Sequence, residues 1–248
     1  MKKLLCLVLL VFLPGSAFAG SQPGEVGTLT FLIGEVFVKR ADPDWRKAEF
    51  DMALYTEDQI KTGADSRCEI TLITGSVIRM DQDTTQALDR VCLDRESRQV
   101  SLFMSTGRLW LNARKIISKH DTFKVRTDKT ICAIRGTRFG MDTNRSATRI
   151  AVYEGEVEVR PWGDFVDQLD SGKPSDARVK EPVPVAGPHP VTMKEWVEIV
   201  QALQQITVDA QGRYSKSALD LEAESRDPWV IWNKERDRLA RRPGTPSH

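Results

Sequence analysis

Arg135, Gly136, Thr137 and Phe139 are the chain's most suggestive chemical cluster, a guanidinium suited to a carboxylate or a glycan with a threonine hydroxyl beside it. The same four residues also suit a purely structural task. Gly136 would turn a corner, Arg135 would pair internally and Phe139 would fill core, and a glycine flanked by an aromatic in a strand run favours that task. Cys132 with the distant His120 has the residue types of a nucleophile and base, but Ile131, Cys132, Ala133 and Ile134 form an apolar stretch in which a thiol acts as a small hydrophobe. Asp81-Gln82-Asp83 offers alternate carboxylates without the central glycine and oxygen-rich run of a calcium loop, so a solvated turn is expected. Three tryptophans, Trp45, Trp110 and Trp162, could serve as exposed stacking platforms for a glycan or another ligand.

Other reaction classes find little support. No GxSxG, HExxH or glycine-rich phosphate loop occurs, so the expectation is a protein that is not an enzyme. With no CxxC pair and only His120, His189 and His248 as imidazoles, neither a metal site nor a cofactor is expected.

The N-terminus bears on location. Lys2 and Lys3 precede an apolar run from Leu4 to Leu13, and Pro14-Gly15 and a small-residue Ala17-Phe18-Ala19 site follow. The run is too short for a spanning helix, and Cys6 lies inside it rather than after a small-residue site. Residues 1–19 therefore read as a cleavable signal peptide and the mature chain as periplasmic, without stable membrane insertion. Cleavage removes two lysines and takes the formal net charge from +1 to about −1. A near-neutral surface of mixed sign offers no basic stripe for nucleic acid. Cys68, Cys92 and Cys132 remain, an odd number that leaves their pairing open.

From Gly27 to about Arg160 short alternating apolar runs are broken by glycine or polar turns. In Arg67–Met80, Cys68, Ile70 and Leu72 point one way and Glu69 and Thr71 the other, Gly75-Ser76 turns the chain, and Val77 resumes. Gly34-Glu35-Val36, Gly107-Arg108-Leu109 and Gly155-Glu156-Val157 repeat a glycine followed by an aliphatic, as corners of a rolled sheet would. Their spacing is irregular. The reading is a mainly β domain over 20–160, a twisted β-sandwich or short β-solenoid.

The order of these segments resembles the FecR domain over roughly residues 27–160. Asp58-Gln59-Ile60-Lys61-Thr62-Gly63, the Gly75-Ser76 turn, Arg135-Gly136-Thr137 with Phe139, and Glu154-Gly155 with Val157 carry the likeness. The resemblance implies a module that receives a signal in the periplasm. In the regulators that name the family, a cytoplasmic segment controlling a sigma factor and one membrane helix come before it. Here a cleavable leader stands in their place, so only the sensing or binding module is carried over. Its expected partner is an envelope protein, either an outer-membrane or a periplasmic component. The alternative is a glycan- or ligand-binding envelope protein and, ranked after it, a carbohydrate-active enzyme built on a separated Asp/Glu pair.

Residues 161–190, ending in PVPVAGPHP, read as a Pro/Gly-rich linker. Over 191–248 a helical segment is expected. Thr192 and Glu195 suggest a capping box, and Met193, Trp196, Val197, Val200 and Leu203 recur at helical spacing to about Ile206. A second helix starts at Asp227-Pro228 and runs to about Arg241, with a stripe of Trp229, Trp232, Arg236 and Leu239 expected to cover an open end or face of the β domain.

Overall fold

The computed structural model describes residues 24–93, 97–114, 121–162 and 197–240, with the backbone alone at 92 and 93. The signal peptide, the body of the linker, the capping box at 192–195 and all three histidines lie outside the described residues. Among the described residues seventeen strands and two helices follow in order. They are β1 (Glu25–Ile33), β2 (Val36–Lys39), β3 (Arg46–Lys47), β4 (Ala53–Tyr55), β5 (Gln59–Thr62), β6 (Arg67–Leu72), β7 (Val77–Met80), β8 (Thr85–Leu93) and β9 (Arg98–Asn112). Then come β10 (Thr122–Arg126), β11 (Thr130–Ile134), β12 (Arg138–Thr143), β13 (Ala147–Glu154), β14 (Glu156–Pro161), β15 (Glu198–Gln201), β16 (Gln204–Asp209) and β17 (Tyr214–Ala218), with α1 (Leu221–Arg226) and α2 (Pro228–Ala240) last.

The strand that organises the fold is β9. Its N-terminal half pairs with β8 and, in parallel, with β10, whereas its C-terminal half pairs with β7 and β12. Val100, Leu102 and Met104 are buried at even positions, then Leu109 and Leu111 at odd ones. A period of two cannot change phase without a break, and the break is Gly107, at φ +103. A Cβ there would lie 2.4 Å from the Cα of Thr84, so only glycine fits the crossing.

Two sheets thus share one strand. The first runs β4-β1-β6-β7-β9-β12-β13-β16-β17 and the second β3-β2-β5-β8-β9-β10-β11-β14-β15. Their inner faces enclose one apolar core, to which Leu29, Ile70, Ile78, Phe139 and Ile206 contribute from the first and Val38, Ile60, Leu102, Val125 and Val159 from the second. The expected mainly β architecture with a helical C-terminal segment is what the chain forms. At one end the two sheet edges are laced together. Lys216 on β17 donates to the carbonyl of Ile199 on β15 at 2.6 Å, and the Tyr214 hydroxyl donates to the Glu198 carboxylate at 2.6 Å.

The expected helix at 192–206 is corrected where it falls on described residues. Glu198–Gln201 is β15, Leu203 turns the chain at φ +64, and β16 follows. Val200, Ile206 and Val208 point into the core while Val197, Ile199 and Leu203 are exposed, so a run that mimics helical spacing is divided between two faces. Val197, Ile199, Val200, Ile206 and Val208 are β-branched and prefer the pleated surface. The β structure therefore continues to Ala218, beyond the expected boundary at 160.

Candidate functional site

The outer face of the first sheet is where unusual chemistry collects. Register places Phe31, Glu69, Arg79, Trp110, Gly140, Ala151 and Gln205 side by side across seven strands, all pointing away from the core. Alternation makes such a row solvent-facing, yet Arg79 and Trp110 are buried, because α2 lies over them, with α1 beside it on Arg149 and Tyr153. The second helix begins as expected: the Asp227 carboxylate accepts from the backbone N–H of Trp229 at 2.8 Å, and Pro228 takes the first helical position. The first, unforeseen helix is capped by Asp220, whose side chain accepts from Glu222 and Ala223.

Asp237 is the centre of the contact. Arg79 donates to its Oδ1 at 2.8 Å, Trp110 Nε1 to its Oδ2 at 3.1 Å and Asn112 to Oδ1 at 3.4 Å, while Arg138 Nε stands 2.9 Å from Oδ2. Beside it, Arg79 and Arg236 grip Glu69 from the sheet and from the helix, at 2.6 and 3.0 Å. Burial pushes the Glu69 carboxyl up, but the hydrogen bonds and charges of Arg236 and Arg79 outweigh it and hold the group below the usual range. At the start of α2, Arg108 reaches Asp227 at 2.5 Å and also stands near Asp81 and Asp142. Burial opposes ionisation of Asp227 too, and Arg108 again reverses the sign. For Asp142 burial prevails and the carboxyl is raised, despite Arg108 and Arg149.

From α1, Glu224 takes Arg149 at 2.5 Å and the Tyr153 hydroxyl, whose ionisation is pushed upward by burial and then by Glu224. Tyr153 stacks on Trp110 with centroids 4.4 Å apart, and Trp229 stacks on Trp232 at 5.3 Å with Arg67 above both rings. These aromatics form a satellite cluster of their own, separate from the core between the sheets. Next to the stack a cleft of about 340 Å³ opens between Tyr153, Leu203, Leu221, Lys234 and Arg238. Of the expected helix stripe, Trp229, Trp232 and Arg236 meet the sheet and Leu239 is exposed, while Asn233 and Asp237 are further buried contacts that the stripe did not include.

The sequence-derived cluster lies elsewhere, at the corner where β11 of the second sheet passes to β12 of the first. Gly136 has φ +73, Thr137 donates to the carbonyl of Glu156 at 2.9 Å, Phe139 is buried in the core, and Arg135 stands on the surface. Arg138, their neighbour, is the residue of this turn that reaches the helix-covered face. Asp81 bonds Arg67 at 2.8 Å, and Cys132, like Cys68, is a buried free thiol. The expected tryptophan platforms are largely occupied. Trp110 is fully buried rather than exposed, Arg126 lies 4.6 Å over Trp162, and Lys39 lies 5.2 Å over Trp45. Among the described residues no group of three or more metal-ligating side chains is placed to hold an ion, and no helix is long and apolar enough to cross a membrane.

No curated protein matches the chain. Two crystal structures, each described as a "putative anti-sigma factor" from Parabacteroides distasonis, are similar at 16% and 17% identity, both with a TM-score of 0.43. The alignments cover 76% of this chain and 79% of that one in the first case, and 73% of each in the second. A match to the FecR protein family spans residues 58–158, from β5 to β14. That stretch contains the β9 crossing and Glu69, Arg79, Trp110 and Arg138 of the covered face, and it ends before α1 and α2. Residues 58–158 are thus identified as a FecR domain.

Proposed function

We propose that this chain is a periplasmic FecR-type module that recognises an envelope protein and passes on a signal without catalysing a reaction. The FecR domain carries the reading. Three further observations support it. The chemically rich side chains of the covered face are committed to one another in ion pairs, as recognition surfaces are, rather than converging on an open substrate site. The basic start, apolar run and Ala17-Phe18-Ala19 site agree with export. Large apolar side chains such as Phe50, Ile73 and Ile33 stand exposed on the β domain and add contact area for a protein.

Crosslinking the tagged full chain in intact cells, followed by mass spectrometry of captured proteins, tests the partner. One envelope protein enriched over an exported control is expected. Enrichment of nothing above the control, with specific retention on a panel of envelope glycans, would overturn the reading in favour of glycan binding. The same preparation tests the location: osmotic shock should release a chain beginning at Gly20, and full-length protein in the membrane fraction would refute export with cleavage.

A further inference from the structure

We infer that the outer face of the first sheet is a docking surface for an acidic helix of a partner protein, and that α1–α2 is its built-in occupant, displaced when the partner binds. The inference deepens the recognition reading given above by naming the surface and the kind of partner.

The first argument is chemical. On the sheet side five guanidinium groups, Arg67, Arg79, Arg108, Arg138 and Arg149, stand among four carboxylates, Glu69, Asp81, Asp142 and Glu154, an excess of one positive charge. The helices bring Glu224, Asp227 and Asp237 into that excess, and Arg236 onto Glu69. The two halves are complementary in sign, and the sheet half is left cationic when the helices leave.

The second argument is energetic. A sheet face built for permanent burial is apolar, as the inner face of this same sheet is. Beneath α2 the face instead sets, among the rings of Phe31, Trp110 and Tyr153, the polar Glu69, Arg79, Arg138 and Asn112. Water can solvate these groups, and buried ion pairs add little net stability over the separated, hydrated state. They do add orientation, because an arginine paired with carboxylates accepts few alternatives.

The third argument is organisational. The sheet residues of the contact lie mainly within the FecR domain, and their cover lies outside it. Trp229 and Val230 of α2 form a satellite cluster with Trp110 of the sheet, and the core between the sheets is complete without it. Removing the helices exposes the charged groups and the Trp110 indole, which a partner helix must then cover, and leaves the core shut.

The test uses the full chain with Asn233→Pro, which breaks α2 in its middle. The probe is a fluorescent synthetic peptide with the chain's own sequence from Asp220 to Ala240, titrated by anisotropy. A binder sees only the fraction of molecules whose own helix is undocked, so affinity for the variant should exceed that for the wild type by on the order of tenfold or more. Adding Arg79→Gln to the variant, or replacing Asp237 by Lys in the peptide, should abolish the gain. Three results overturn the inference: equal affinity for wild type and a folded variant, a gain indifferent to both charge changes, or a variant that no longer melts cooperatively, which would make α2 part of the fold itself. Crosslinking of the wild-type chain separates this from recognition in general. If an envelope protein is still captured while the peptide fails, the module binds through another surface.

Discussion

Replacing Gly107 by alanine attacks the strand on which both sheets depend. At φ +103 a Cβ is strained by about 1–3 kcal/mol wherever it is placed. It would also stand 2.2 Å from Thr84 Oγ1 and 2.4 Å from Thr84 Cα, inside any real contact, and backbone cannot swing away as a side-chain tip can. Moving Thr84 breaks its hydroxyl's bonds to Arg108, accepted from the N–H at 3.0 Å and donated to the carbonyl at 3.2 Å. Two such bonds are worth about 2 kcal/mol together. The expected loss is about 4 kcal/mol, a fall in Tm of roughly 8–16 °C for a chain of this size. Urea melts followed by circular dichroism read it. Gly24→Ala, where nothing lies within 4 Å, and Gly140→Ala, whose nearest neighbour is Tyr153 at 3.5 Å, are the controls and should stay near wild type. A Gly107→Ala chain within about 1 kcal/mol of wild type would refute the crossing as the fold's pivot.

Other expectations follow from the same geometry. Gly136→Ala at φ +73 should cost about 1–3 kcal/mol, and an unchanged melt would remove that corner from the account. Acid should loosen α2: Glu69 and Asp227 have depressed folded values, so their stabilisation is full above the ordinary carboxylate range and is lost as pH falls through those values, below about pH 4. Asp142, raised, acts in the opposite sense, and fluorescence of Trp229 and Trp232 between pH 7 and 3 should show the helix transition; an unchanged signal down to pH 3 would contradict it. Burial pushes the thiols of Cys68 and Cys132 up to about 12, so neither should react with a thiol reagent at pH 8 until the chain unfolds; rapid labelling of native protein would contradict that burial.

Much of the β domain was legible because alternation records which face meets the core. Cys68, Ile70 and Leu72 were correctly placed on one face, the turn at Gly75-Ser76 is the β6–β7 hairpin, and Gly34, Gly107 and Gly155 are all at positive φ. The start of α2 was legible from Asp227-Pro228, since capping is local chemistry. Residues 197–206 were not, because in so short a run apolar positions three and four apart also suit two strands with a turn between them. Tertiary pairing with β14 and β13 decided the outcome.

The covered face was hidden for a different reason. Whether a strand arginine is wet or buried depends on what arrives over it, and Arg79 meets Asp237 across 158 residues of chain. One local trace existed. Leu109-Trp110-Leu111 is apolar on both faces of β9, and a strand breaks alternation in that way only where both faces are covered. An exposed indole between two core leucines would be the costly choice. The triplet therefore predicts a cover, and a C-terminal stripe containing Trp229 and Asn233 supplies it. Composition could not show that the cover is held by charge. Arg79, Arg138 and Asp237 look like ordinary surface residues until register aligns two of them beneath the third, and that alignment makes the face selective for a carboxylate-bearing helix.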